Sequence, residues 1–291
     1  MDLICVGDVM VDVHARAGEL VRGGDVHGQV LIRPGGSSAN AAVWASWSGA
    51  DAAVVGAIGD DLAGRLCLGA LRERGVDVAG IELRPGSTGV MLVLTEPADR
   101  SMVADRGANA ALTAADLTPL DAGAVLVSGY LFLQDPGHEV ALGAFARRRA
   151  PILAIEAASW PLVKAFGAER FLEEAAGCDA VLANDREAEV LTGRQGADAA
   201  RALGERFRFA AVKLGSRGAA LSADGVLFER SGEAVTERDP TGAGDAFDGV
   251  LLASLARDRW PEDALARACH AGALVAAGRE TWPEAARGPG S

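Results

Sequence analysis

The sequence predicts an α/β fold: a three-layer α/β/α sandwich around a mostly parallel central sheet, with a small β-sheet inserted into it. Three observations lead there. Short apolar, β-branched runs alternate along the chain with longer Ala/Leu/Arg segments of helical period, and that alternation implies a parallel sheet covered on both faces. The strand runs are almost continuously apolar, as strands buried on both faces are. Two stretches, residues 11–33 and 87–106, break the rhythm with loosely alternating polar and apolar residues and with glycines at 18, 23, 24 and 28. These read as strands of a smaller, half-exposed sheet, for which a cover over a site and an ordinary edge hairpin fit the pattern equally.

In chain order, residues 3–6, 53–58, 90–94, 124–127, 152–155, 180–182 and 211–214 read as strands, and residues 40–48, 61–74, 139–149 and 198–207 as helices. Phe247, Val250, Leu251 and Leu255 then recur at helical spacing, and that helix must stop before Pro261. The tail from residue 284, rich in Ala, Gly and Pro, is expected to fray. A chain of 291 residues can bury a sizeable core, about three quarters of its unfolded surface, and is read as one domain.

Composition excludes several classes. The net charge of −12 repels phosphate backbones and argues against nucleic acid as a partner. The cations are nearly all arginine, with Lys164 and Lys213 the only lysines. Neither follows a glycine, so a Walker A loop is absent. No Gly-x-Ser-x-Gly elbow occurs, the four histidines lack HExxH spacing, and Gly7-Asp8-Val9-Met10 lacks the dinucleotide glycines. Cys5, Cys67, Cys178 and Cys269 are too dispersed for a disulfide framework or a metal knuckle. With no basic leader and no apolar run of ~18 residues, a cytoplasmic protein without membrane partners is expected.

The segment that carries chemistry is Asp239-Pro240-Thr241-Gly242-Ala243-Gly244-Asp245-Ala246-Phe247. A Gly-rich turn opens here onto a helix start, whose first N–H groups lack intrahelical partners and whose dipole favours negative charge. Small residues let an anion approach the backbone closely. Asp245 fits an ordinary cap as well as it fits a carboxylate that takes a proton from an alcohol beside a phosphate cradle. In the second reading the dipole keeps Asp245 ionised.

The 239–245 segment resembles the C-terminal signature of the ribokinase-like (PfkB-type) carbohydrate kinases. Three further segments are similar to that family in the family's order: Gly35-Gly36-Ser37-Ser38-Ala39-Asn40 with Gly56-Ala57-Ile58-Gly59-Asp60-Asp61; Asn184-Asp185-Arg186-Glu187; and Lys213-Leu214-Gly215-Ser216-Arg217-Gly218. The resemblance implies an ATP-dependent kinase that transfers the γ-phosphoryl group to a hydroxyl of a small sugar under a β lid built from residues 12–33 and 86–106. It implies Asp245 as base, with the amides of Gly242, Ala243 and Gly244 as anion hole. Asn184 and Glu187 would arrange Mg²⁺ through water, since magnesium prefers few protein oxygens. Asp239 would join the ligands of a monovalent cation, K⁺. Lys213, Gly215, Arg217, Gly218 and His270 would lie by the nucleotide; Asp12, Gly35, Gly36, Asn40 and Gln134 by the sugar.

The pattern departs from the family at Glu156-Ala157-Ala158-Ser159-Trp160, where relatives show Asp or Asn with polar neighbours. Arg106 fits either an acidic or phosphorylated sugar or a lid salt bridge. Two alternatives stay open: a nucleoside (adenosine or pseudouridine) kinase of the same fold, and a non-catalytic sugar- or nucleotide-binding protein. Exposed lid edges can pair between two subunits, implying a homodimer.

Overall fold

The computed structural model describes residues 1–18, 21, 23–95, 100–278 and 281–284. Its centre is a nine-stranded sheet that runs, edge to edge, through Val226–Arg230, Ala219–Ala223, Phe209–Lys213, Ala180–Asn184, Ile152–Glu156, Ala124–Val127, Leu3–Val6, Ala52–Ile58 and Asp77–Leu83. Pairing is parallel from Phe209–Lys213 to the far edge and antiparallel in the hairpin at the other. Parallel neighbours need crossovers, and helices provide them on both faces. Successive side chains of Leu3–Val6 show the sandwich directly. Leu3 and Cys5 enter the core shared with Leu251 and Leu252 of the helix Ala243–Ala256, whereas Ile4 and Val6 enter the opposite core with Phe132 and Phe171.

Leu3–Val6 lies between strands reached in opposite directions along the sheet, Ala52–Ile58 on one side and Ala124–Val127 on the other. In open α/β sheets such a switch point opens a crevice at the carboxyl ends of the strands. Asp8, Ser128, Glu156, Asn184 and Lys213 all stand at or just past those ends.

A second, four-stranded sheet has the order Gly28–Gly35, Met10–Ala17, Gly89–Thr95, Arg100–Asp105. Residues 90–94, an apolar run of the kind found in the main sheet, belong here. Because paired residues share a face, Asp12, His14, Arg16, Gln29, Leu31 and Arg33 occupy one side. Val13, Val30, Ile32, Leu92 and Val103 occupy the other, where Val30, Ile32 and Val103 are exposed.

Several elements differ from the sequence expectation. Asp77–Leu83 is an exposed edge strand whose polar residues hide its period. The helices Trp160–Phe166 and Ala168–Glu174 are split by Gly167 (φ 99°), and the expected strand at residues 211–214 is Phe209–Lys213. Of the tail expected to fray, residues 285–291 lie outside the described residues. No helix among the described residues is long and apolar enough to cross a membrane.

Candidate active site

The helix Ala243–Ala256 begins at the carboxyl edge of the sheet, and its start is set by a turn. The Ala243 N–H returns to the Pro240 carbonyl at 3.1 Å, and Gly242 is left-handed at φ 80°, the conformation that a type II turn demands of its third residue. A Cβ at that position would also strike the methyl group of Thr281, so glycine is required twice over. Among the described residues the N–H groups of Gly242 and Gly244 have no hydrogen-bond partner, whereas that of Ala243 is spent on Pro240. Two amides of the expected three therefore remain for an anion.

Asp245 follows in the first helical turn. Its Oδ2 accepts a hydrogen bond of 2.7 Å from Asn40 Nδ2, and Asn40 Oδ1 accepts one of 2.5 Å from the Trp282 indole. The side chain keeps some exposed surface, yet protein surrounds it densely. Burial pushes its pKa up to about 7; the Asn40 hydrogen bond opposes this, Asp248 and Asp12 add repulsion, and Lys213 pulls the other way. The helix dipole alone would keep this carboxylate ionised, so the sequence reading is revised: burial among like charges outweighs the dipole and poises the group near neutrality.

Asp248, one turn further on, donates the rest of the site's character. Its Oδ2 accepts from Lys213 Nζ at 2.6 Å, and its Oδ1 is buried with no hydrogen-bond partner among the described residues. Burial alone would lower the Lys213 pKa, but Asp248, Glu156 and Glu187 raise it and keep the ammonium charged. Burial conversely pushes the carboxyls of Glu156 and Glu187 up, with Lys213 opposing in both. Lys213 thus interacts with four carboxylates, those of Asp248, Glu156, Glu187 and Asp245. The ammonium also lies next to Gly244, 3.4 Å from where a Cβ would stand.

A cavity of about 370 Å³ opens beside this point. Lys213, Gly215, Gly218, Ala243 and Gly244 form its polar end, and Val235, Phe247, Gly272, Ala273 and Ala276 an apolar wall. Arg217 and His270, both expected near the nucleotide, are not part of this lining. Arg217 pairs with Asp185 at 2.5 Å, and the exposed His270 ring faces Glu233 at 3.0 Å. Asn184 caps the helix Asp185–Thr192 in a reciprocal box: its Oδ1 accepts the Glu187 N–H at 3.0 Å, and Glu187 Oε2 accepts the Asn184 N–H at 2.8 Å. Among the described residues no three His, Cys, Asp or Glu side chains are arranged to hold a metal ion by themselves.

On the other side of Asp245, the buried Asp12 carboxylate lies so close over Gly35 that a Cβ there would overlap it. Gly36, at φ 98°, leads into the helix Ser37–Trp47 that carries Asn40. Beyond them a second cavity, about 690 Å³, runs between the small sheet and the 238–239 loop, lined by His14, Arg16, Gln29, Arg33, Arg238 and Asp239. Asp239 Oδ1 is occupied by the N–H and hydroxyl of Thr241, at 3.0 and 2.5 Å. Arg106 grips Asp8 with two hydrogen bonds, of 2.7 and 3.2 Å. Gln134 sits in the turn before the helix Gly137–Arg147, its carbonyl accepting the His138 N–H at 3.0 Å.

Asp248 and Trp282 do not stand out in the sequence, and Glu156 does so only as a departure from the family pattern. Asp248 carries a signal, since it stands one helical turn from Asp245; the other two join only through long-range contacts.

The model of the pfkB family carbohydrate kinases matches residues 1–283. The chain is 31% identical over 261 residues to a 2-dehydro-3-deoxygluconokinase of Thermoproteus tenax, covering 82% of this chain and 78% of that one. It is 30% identical over 288 residues to an ATP-dependent ribose-1-phosphate kinase of Halopiger xanaduensis, covering 96% and 92%. Among solved structures, the adenosine kinase from Sinorhizobium meliloti superposes with a TM-score of 0.83 at 23% identity, covering 97% of this chain and 96% of that one.

Proposed function

Because the chain belongs to the pfkB family of carbohydrate kinases, we propose that it transfers the γ-phosphoryl group of ATP to a hydroxyl of a small sugar, with Asp245 accepting the hydroxyl proton. The observation that carries this reading is the position of Asp245. It stands in the first turn of a helix, directly after Gly244, which lines the 370 Å³ cavity; Asn40 hydrogen-bonds its carboxylate and Asp12 is near enough to repel it.

In this proposal the flat apolar wall receives the adenine, and the amides of Gly242 and Gly244 with the Lys213 ammonium face the phosphates. Such donors, placed where charge develops, contribute about 3 kcal/mol each in other enzymes. A carboxylate poised near neutral pH suits general base work, which supplies about 10²–10⁴-fold. Asn184 and Glu187 would hold Mg²⁺ only through water, because Asn184 Oδ1 and both Glu187 carboxylate oxygens already accept hydrogen bonds of the helix cap, and a bound ion there would neutralise charge on the phosphates. Potassium at Asp239 fits less well, since one carboxylate oxygen is already taken by Thr241; no step depends on it. The four-stranded sheet, closing over the sugar, would exclude water.

We further infer that the acceptor sugar carries an anionic group. Three arginines, Arg16, Arg33 and Arg238, line the second cavity, a concentration of positive charge in a chain of net charge −12. Ribose 1-phosphate, named for the Halopiger relative, has such a group. The apolar outer face of the small sheet, with Val30, Ile32 and Val103 exposed, supports pairing of two copies there. The test is a coupled ADP-release screen over neutral sugars, sugar acids, sugar phosphates and nucleosides, with Asp245→Asn in parallel. An anionic sugar should turn over in the wild type and not in the variant, while the variant still binds ATP. Equal turnover in the variant refutes the base assignment, and preference for a neutral sugar or a nucleoside refutes the anionic acceptor.

A further inference from the structure

The proton acceptor is held by a segment 37 residues further along the chain, Thr281–Glu284, which returns across the start of its helix. Trp282 is 5% exposed and Asn40 4%. The indole N–H of Trp282 donates to Asn40 Oδ1, and the Asn40 amide group donates to Asp245 Oδ2. An indole nitrogen only donates, whereas a carboxamide has a donor end and an acceptor end. The indole therefore decides which end of Asn40 meets it, and by exclusion which end meets the carboxylate. Were the amide reversed, its oxygen would oppose Asp245 and its NH₂ would oppose the indole N–H, leaving two mismatched contacts in a buried place.

The segment is fastened well enough to impose that choice. The Trp44 indole donates to the Thr281 carbonyl at 2.8 Å and the Arg74 guanidinium to the Pro283 carbonyl at 3.0 Å. The same guanidinium stacks 5.3 Å from the centre of the Trp282 ring, and Thr281 fills the space above Gly242. Each fastening residue lies on an element of its own: Trp44 on the helix Ser37–Trp47, Arg74 at the end of Leu62–Glu73, Gly242 at the turn before Asp245.

We propose that Trp282 is a positioning residue for the proton acceptor, its indole N–H locking the Asn40 carboxamide so that the NH₂ group faces the Asp245 carboxylate. The inference rests on the reading of Asp245 as the base. A donor aimed at a carboxylate favours its ionised form, so the lock keeps Asp245 able to accept a proton at lower pH than its surroundings would allow. Those surroundings are Asp248 on its own helix, Lys213 at the end of Phe209–Lys213, Asp12 on Met10–Ala17 and Glu156 on Ile152–Glu156. All of these groups remain when the indole is changed.

Trp282→Phe keeps a ring against Arg74 and removes only the donor. The acidic limb of kcat/KM should move up by about one pH unit, so that activity falls about tenfold on the limb and returns toward the wild-type value above pH 8.5, with the KM for ATP unchanged. If Trp282→Phe does not fold, β-(3-benzothienyl)alanine at position 282 replaces the N–H by sulfur in a ring system of the same shape and must give the same shift. An acidic limb at the wild-type pH overturns the proposal, and so does a loss uniform across pH, which marks a packing role alone. Should Asp245→Asn retain turnover, the base assignment itself fails. An inactive Asp245→Asn beside an unshifted Trp282→Phe or benzothienyl variant refutes only the lock.

Discussion

Replacing Asp245 by asparagine should make the protein more stable while removing its activity. The carboxyl titrates near 7 in the folded chain against a reference value of 3.8. The native state therefore holds its proton more tightly than the unfolded chain does, and the sign of the linkage follows. This group's contribution to stability is fully present below pH ~4 and is lost as pH rises through about 7, where the folded protein must ionise a buried acid. The penalty saturates above that. About three pH units at ~1.36 kcal/mol each set a ceiling of ~4 kcal/mol. Partial exposure of the side chain and sharing of the repulsion with Asp248 and Asp12 reduce it to about 1–3 kcal/mol. Asparagine is neutral at every pH and still accepts from Asn40 through its carbonyl oxygen, so it escapes the penalty. At about 2–4 °C per kcal/mol for a domain of this size, Asp245→Asn should melt ~2–12 °C above the wild type at pH 8. At pH 5 only about a third of that gain should remain. Scanning calorimetry at the two pH values measures this. An equal gain at both, or a loss at pH 8, would show that no charged carboxylate is being forced into this site.

Lys213→Met tests the opposite charge: with the ammonium gone from among Asp248, Glu156, Glu187 and Asp245, breaking the buried pair with Asp248 should cost about 3–5 kcal/mol, most severely above pH 7, as chemical denaturation will show. The surviving kcat/KM should have its acidic limb displaced upward, because Lys213 is one of the two influences holding the Asp245 pKa down. Ile32→Asp places a charge on the apolar outer face of the small sheet and should halve the mass seen in sedimentation, whereas a monomeric wild type would remove that face as an interface between copies.

The legible parts of this chain are those whose physical cause is local. The turn at residues 239–245 shows itself through Gly242 and Gly244, and the helix after it through Phe247, Val250, Leu251 and Leu255. The strands 3–6, 124–127 and 152–155 are readable because burial on both faces makes them apolar throughout. Asp77–Leu83 is not, since an edge strand half open to water mixes Asp77, Glu82 and Gly80 with its apolar residues. Gly167 divides a helical stretch that would otherwise have the period of one element. The amide of Ala243 was counted into the anion hole because a turn's internal hydrogen bond to Pro240 cannot be seen in composition. Glu156 looked like a departure from the expected pattern; in the fold it is the acid that closes the ring around Lys213. Trp282 lies 242 residues from Asn40, a separation over which no periodicity speaks, in a stretch beside a tail whose Pro, Gly and Ala content points to fraying.

The arrangement also explains why so acidic a cluster can persist beside the 370 Å³ cavity. Four carboxylates around one ammonium are unfavourable on their own, and burial raises the pKa of all four, so each holds its proton more readily than it would in water. Asp245 differs from Glu156 and Asp248 in having a neutral donor, Asn40, aimed at it from outside the charged ring. That donor lowers its pKa without adding a cation that a transferring phosphoryl group would have to displace. Lys213 does the same for Asp248 through a direct ion pair, but it also faces Gly244 and so is the group placed to meet phosphate charge. When it does so, its hold on the carboxylates weakens, and their affinity for a proton rises as the acceptor hydroxyl gives one up. In the proposed reaction the acid beside the acceptor would thereby become more basic as the phosphates arrive.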